Sequence, residues 1–331
     1  MPQPDPKHVH TDQVLNNVVV SYRQEAESFV AGRVFPEINV SRPSDIYYKF
    51  AKGSMYRNDV RPRGPSEESA VTGINKDDIS KPSYNCKPKD SLKSGVDPDE
   101  MQEHDSIVQM RRRKARQLTS HHLIDRDQNW NNQFFTAGQW SHEETGVASN
   151  PGSNEFLQWN DSNSTPIKLI KSAKRTLQLA YGNSPMMELV LVLNPYVVDE
   201  LEEHPNVTGK LSNDSMRVTT ESDLAQIFRV DDVVVAESVH NTAEEGQSES
   251  MAFMHGKHAL LVARPTEPAR ETPSSGYIFT VDGYRGTQEG FRTRTWTETE
   301  KNETRWTEVD RFESMHMVSP DLGYLFENAV A

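Results

Sequence analysis

Apolar residues are dealt unevenly along this chain. In "AESFVAGRVFPEINV" the residues Phe29, Val30, Val34, Phe35, Ile38 and Val40 crowd into a dozen positions. Pro36 and Pro43 forbid a long helix there, so the segment reads as an extended arm with apolar anchors. A short amphipathic stretch around Val14, Leu15, Val18 and Val19 precedes it. Residues 51 to 95 are rich in charge, Pro, Gly and Ser and score as disordered by themselves. A structureless loop of that length inside a compact domain is suspect. Two readings stay open: a floppy linker, or a two-stranded hairpin with "SAVTGI" and "PSYNCK" as strands, reaching beyond its own subunit.

From about 98 to 136 no Gly and, after the first residue, no Pro interrupts the run, which predicts one long helix. At about 100° per residue Ile107, Met110 and Leu118 share one face, while Leu123, Trp130 and Phe134 share a nearly opposite one. Such a helix packs against different neighbours at its two ends; a break near Ser120 is the alternative. A second helix is signalled by Thr165 as cap, Pro166 at its first position, the stripe Ile167, Ile170, Ala173, Leu177 and Tyr181, and Gly182 as stop. The run "MELVLVLN" reads as a buried strand, Asn194-Pro195 starts a short helix, and Thr220 with Asp223 forms a variant capping box ahead of the strand "DDVVVAES". The tail alternates strand-like runs with turns. The class is mixed α+β, without repeats or regular βαβ alternation.

Composition sharpens one point. Only 34% of the 331 residues are hydrophobic, and the mean hydropathy is −0.75, low for a self-contained core. Segments that cannot bury enough apolar surface need contacts from outside. A partner is therefore expected, another copy included. The net charge of −13 lies almost wholly after residue 150, which argues against tight binding to a nucleic-acid backbone. The single cysteine, Cys86, excludes an internal disulfide and a cysteine-rich zinc site. With no membrane-length apolar run and no signal-peptide core, the expectation is a soluble protein made in a reducing compartment. Asn-x-Ser/Thr sites such as Asn163 are then incidental.

Catalytic motifs are absent: no Gly-rich phosphate loop, H-E-x-x-H, G-x-S-x-G or EF-hand spacing. His255 and His258 lie in strand-like context with no third ligand indicated. His121 and His122 are adjacent on a helix and point about 100° apart, unsuited to one ion. Arg111, Arg112, Arg113, Lys114 and Arg116 form the one basic focus, readable as a solvated helix surface, an intersubunit ion-pairing patch or a DNA contact. The acidic pairs Glu202/Glu203 and Glu244/Glu245 lack apolar surroundings for acid–base work. No enzyme, metal or cofactor is expected.

The order of segments carries more than any motif. The arm "YRQEAESFVAGRVFPEINV", "YYKFAKG" with "RPRGPSEESA", "YNCKPKD" before "GVDPDE", the helix ending "NWNNQFFTAGQW", then "WNDSNSTPIKLI", "LVLNPYVVDELEEHPNV", "DLAQIFRVDDVVVAESVHNTAEEG", "SMAFMHGKHALL", "PSSGYIFT" and "DLGYLFENAV" run in one order. In that colinearity, from about Leu15 to Val330, the chain resembles the major capsid proteins of tailed double-stranded DNA bacteriophages, the Hong Kong 97-type coat fold. The resemblance implies an N-terminal arm (1–45), an extended loop or β-hairpin (46–97), a peripheral domain with the long spine helix (98–165), an axial domain (166–265), and C-terminal strands (266–331) returning to the peripheral domain.

It further implies a structural subunit that self-assembles into pentamers and hexamers of an icosahedral shell around phage DNA, without sequence-specific DNA binding or a membrane. A ring-forming adaptor or other virion component is the alternative. Phe29, Val34, Phe35, Ile38, Arg61, Arg63, Arg111, Arg112 and Arg113 would be intersubunit contacts. Phe35→Asp would then abolish assembly while leaving the axial domain folded. Implied partners are a separate scaffolding protein, a portal protein and a decoration protein. The location would be the virion, with assembly in the host bacterial cytoplasm. Some members weld loops to neighbours through a Lys–Asn bond; nothing singles out Lys76, Lys81, Lys87 or Lys89 for it.

Overall fold

The structure, a computed structural model, describes residues 10–11, 29–47, 49–50, 58, 60–69, 79–87, 89–96, 107–182, 185–210, 220–244, 246–269, 272–298 and 303–331; at 10, 11, 50, 79 and 107–113 it describes the backbone alone. The amphipathic stretch at 14–19, most of the candidate strand "SAVTGI", Lys76 and the side chains of Arg111, Arg112 and Arg113 lie outside the described residues.

Along the chain come β1 (His10–Thr11), α1 (Ala31–Val34), β2 (Glu37–Val40), β3 (Ser44–Ile46), β4 (Lys49–Phe50), β5 (Ile79–Ser80), β6 (Ser83–Asn85) and β7 (Asp90–Val96). The long helix α2 (Ile107–Phe134) leads to β8 (His142–Val147), β9 (Glu155–Leu157), α3 (Pro166–Tyr181), β10 (Met187–Leu193), α4 (Pro195–Glu203), α5 (Pro205–Thr208), α6 (Glu221–Phe228) and β11 (Asp232–Val235). Then follow β12 (Val239–Asn241), β13 (Met251–Phe253), β14 (Ala259–Pro265), β15 (Gly276–Val281), β16 (Phe291–Thr297), β17 (Arg305–Arg311), β18 (Glu313–Met317) and β19 (Gly323–Glu327).

A six-stranded mixed sheet, order β11-β10-β14-β19-β8-β9, forms the centre. Its side chains alternate between two cores, as the strand period of two requires. Leu189, Leu191, Leu193, Leu261 and Phe326 face Ile170 and Leu177 of α3, Leu201 of α4 and Leu224 of α6. Val190, Val192, Leu260, Val262 and Leu325 face the opposite way, onto Val30, Val34, Phe35, Trp130 and Phe134. Such a strand is buried on both faces, hence the unbroken apolar run "LVLVL".

The expected helix signals hold with one exception. Pro166 opens α3 and Gly182 closes it in the left-handed region at φ 71°. Thr220 and Asp223 make the reciprocal capping box of α6, and Asn194 Oδ1 accepts from Tyr196 N at the start of α4. Thr165, however, occupies the cap position of α3 without a side-chain capping bond among the described residues.

A four-stranded antiparallel sheet, β1-β16-β17-β7, lies under the first half of α2, where Ala115 and Leu118 pack on Phe291 and Val309. A three-stranded sheet, β18-β15-β2, takes in the arm: β2 runs parallel to β15, with Ile38 opposite Phe279. The base of the polar loop is a ribbon, β3 paired with β6 and β4 with β5. "PSYNCK" thus supplies a strand, and at this base its partner is Ser44–Ile46. Tyr47, Tyr84 and Cys86 fasten the ribbon to Phe279 and Val281. The tail divides, β15–β18 lying beside the arm and loop base while β19 joins β14 and β8.

Candidate functional site

The helix α2 explains how these layers are held together. Its buried stripe is continuous: Ala115, Leu118, Thr119, His122, Leu123, Arg126, Asp127, Trp130 and Phe134 recur at helical spacing and are all buried. The middle turns of that stripe are polar. Two knots of buried charge result, and a third lies on Asp310 of β17 in the adjoining sheet.

In the first, Asp127 Oδ1 accepts the backbone N–H groups of Val30 and Ala31, each at 2.9 Å, and Oδ2 accepts the Ser238 hydroxyl at 2.5 Å. His255 Nε2 lies 3.7 Å from the same carboxylate, its ring set against Trp130 and Phe135. Burial holds His255 below its ordinary pKa against the pull of Asp127, with His240 lowering it further. Although Ser, His and Asp meet here, the serine faces Nδ1 and bonds the carboxylate directly. Asp127 is fully buried and already engaged by two amides. The knot ties arm, long helix and β11–β12 connection together; it is not built as a catalytic triad.

In the second, Arg126 reaches Glu37 at 2.7 Å and Glu313 at 3.3 Å. Arg311 donates to the His122 carbonyl at 2.6 Å and pairs with Asp90, Asp125 and Glu313. Glu313, 5% exposed, thus bridges two buried guanidinium groups. His122 Nε2 lies 2.9 Å from the Val309 carbonyl, and burial lowers the imidazole's pKa.

In the third, Asp310 receives Lys89 at 2.8 Å, Ser91 at 2.5 Å and Arg292 at 2.5 Å, with Arg294 at 3.3 Å. Burial pushes this carboxyl up, but the hydrogen bonds from Lys89, Ser91 and Arg292 prevail and hold it at about 2. Lys89 is therefore committed within its own chain.

The residues expected to meet a neighbour fall into different places. Val34 and Phe35 are fully buried and Ile38 is 9% exposed. Phe35 meets Trp130 edge-on and Phe134 at a tilt, with ring centroids 5.8 and 4.8 Å apart. Their expected intersubunit role is corrected: side chains already enclosed by their own chain offer no surface to another. Phe29 is half-buried and Arg61 and Arg63 are exposed; Arg63 donates to the Glu67 carbonyl.

The knots escaped sequence reasoning because Asp127, Arg311, Glu313 and Ser238 resemble ordinary surface residues. Their one signal is the i, i+3, i+4 placement of Arg126 and Asp127 between Leu123 and Trp130.

Outward-facing large apolar side chains include Val60, 87% exposed, Leu179, Met251, Met186 and Tyr196. Among the described residues there is no cluster of three or more His, Cys, Asp or Glu suited to a metal, and no helix long and apolar enough to cross a membrane.

No family model and no curated protein matches the chain. Solved structures do. A phage-related protein of Bordetella bronchiseptica RB50 superposes with a TM-score of 0.68 at 16% identity, over 96% of this chain and 97% of that one. The capsid protein of cyanophage P-SCSP1u gives 0.54 at 9% identity, over 90% and 88% of the two chains. That of the bacteriophage PhiM1 mature capsid gives 0.52 at 13% identity, over 88% and 84%. The chain has the α+β fold of these phage capsid subunits, the Hong Kong 97-type fold.

Proposed function

We propose that the protein is the structural major capsid subunit of a tailed bacteriophage, assembling into pentamers and hexamers of an icosahedral shell around double-stranded DNA. The observation that carries this reading is the likeness to two phage capsid subunits over nearly nine tenths of this chain or more. The absence of any motif for chemistry agrees with a structural role.

Assembly of this kind uses heterologous contacts that close into rings. Each contact can be modest, because a closed shell holds every subunit at several edges at once. The loop beyond the β3–β6 ribbon, with Val60, Arg61 and Arg63 exposed, and the half-buried Phe29 are the parts of the expected contact set still open to a neighbour; Arg111, Arg112 and Arg113 remain candidates. The acidic excess suits a container wall that repels phosphates and lets packaged DNA slide. Scaffolding, portal and decoration proteins are the implied partners, the virion the location, and the host bacterial cytoplasm the place of assembly. No catalytic activity belongs to this role.

Sedimentation velocity of the purified chain, alone and co-expressed with its phage's scaffold, tests the reading. The expected result is capsomers or shells far above the 37.6 kDa monomer. A strictly monomeric species under both conditions overturns it, and rings of one limited size would favour the adaptor.

A further inference from the structure

Two helices packed on the same face of the central sheet carry charge of opposite sign. α3 holds Lys168, Lys171, Lys174 and Arg175 and no acidic residue, whereas α4 holds Asp199, Glu200, Glu202 and Glu203 and no basic one. On α3 the residues Lys168, Lys171, Ser172, Arg175 and Leu179 follow the spacing i, i+3, i+4, i+7, i+11, a single stripe about 100° wide. It faces outward, ending in Leu179, which is 84% exposed. On α4, Tyr196, Asp199, Glu200 and Glu203 follow the same spacing and are all exposed. Among the described residues no ion pair uses the charged members of either stripe.

Helix stability does not account for the pattern. Lys168 sits in the first turn of α3 and Glu202 and Glu203 in the last turn of α4, while the favourable ends, the last turn of α3 and the first of α4, lack the matching charge. Both placements oppose the helix macrodipole.

They suit each other instead. Laid antiparallel, Leu179 meets Tyr196, Arg175 meets Glu200, and Lys171 meets Glu203. Leu179 to Lys171 spans about 12 Å along its axis and Tyr196 to Glu203 about 10.5 Å, a mismatch of about one residue's rise. The positive end of α3 then lies beside the negative end of α4. Both helices bury their inner faces in one core, so one chain cannot lay these outward stripes on each other.

We infer that the basic stripe of α3 in one copy docks antiparallel on the acidic stripe of α4 in the next. Because the two patches differ, the contact is head-to-tail and propagates around a ring. The inference rests on the shell-subunit reading and names one of its contacts. A nucleic acid against α3 would leave the acidic stripe and the matched spacing unexplained.

The test uses K171E/R175E, E200K/E203K and the chain carrying all four changes, followed by sedimentation velocity and negative-stain microscopy at low salt. Each two-site variant should melt like the parent in circular dichroism yet need about tenfold more protein, or more, to assemble. The four-site chain should recover. An equimolar mixture of the two-site variants should recover only rings in which they alternate, hence six-fold and not five-fold ones. Two-site variants that assemble at the parental concentration overturn the contact, as does a folded four-site chain that fails. Unchanged assembly with loss of packaged nucleic acid in K171E/R175E overturns it in favour of a nucleic-acid surface. Shells from the parent with indifferent variants defeat this contact alone; a parent that never associates, with or without scaffold, defeats the shell reading as well.

Discussion

At the scale of single residues, buried charge decides how the chain responds to change. Asp127→Ala strands the Val30 and Ala31 amides and the Ser238 hydroxyl. Each buried donor left without an acceptor costs about 1–3 kcal/mol. The expected outcome is a loss of about 3 kcal/mol or more in urea unfolding, with faster proteolysis next to the arm. Phe35 turns from an assembly probe into a stability probe: Phe35→Ala should cost about 3–5 kcal/mol, and Phe35→Asp, which places a charge between Trp130 and Phe134, should leave the chain unfolded by circular dichroism.

The pH dependence has two parts. Burial holds His122, His255, His258 and His316 below their ordinary pKa. The unfolded chain therefore takes up these protons first, so stability is full above about pH 6.5 and falls as the pH drops below it. Asp310 is held at about 2 against an ordinary 3.8; its contribution is full above the ordinary value and is lost as the pH falls through about 2. Thermal melts should decline from pH 7 to 5 and again below pH 4, the second decline being flattened in Asp310→Asn. A melting temperature constant from pH 7 to 5 would contradict the histidine assignment.

At the scale of elements, legibility followed apolar contrast. α3 was legible because Ile167, Ile170, Ala173, Leu177 and Tyr181 stand against lysines, and β10 because both its faces are buried. α2 was visible as a helix with different neighbours at its two ends, Phe291 and Val309 at Leu118 and the arm at Trp130 and Phe134, but its polar middle was not. The apparent switch of face between Leu118 and Leu123 is a continuous buried stripe whose middle is Thr119, His122, Arg126 and Asp127. Buried polar groups in a helix carry no hydrophobic signal; their partners, Glu37, Ser238, Val309, Arg311 and Glu313, are far away in sequence. The arm misled in a related way. Its apolar residues are anchors, and the surface they bury against includes residues 130–134 and 277–281 of their own chain.

Two substitutions test these packings. Gly276 runs beneath Phe35, and an added Cβ would lie 2.3 Å from the ring. Gly276→Ala should therefore destabilise by about 1–3 kcal/mol. Glu313→Ala removes the bridge between Arg126 and Arg311, leaving two buried cations short of a partner. A loss of about 3–5 kcal/mol in chemical denaturation is expected, larger than the roughly 1 kcal/mol expected for removing the α6 cap with Thr220→Ala.

For the whole molecule, the order of segments conveyed the fold, while composition concealed part of the interior: the low apolar fraction is offset in part by charged knots on α2 and on Asp310 of β17, which let polar residues occupy the interior. Large apolar side chains left uncovered by the single chain include Val60 in the loop, Leu179 and Tyr196 on the two outer stripes, and Met186 and Met251. The most direct measurement of the proposed role is negative-stain electron microscopy of the protein, alone and co-expressed with the scaffolding protein the proposal implies. Closed shells with five- and six-fold capsomers are the result expected of a capsid subunit. A field of dispersed monomers, from protein that is folded by circular dichroism, would contradict it.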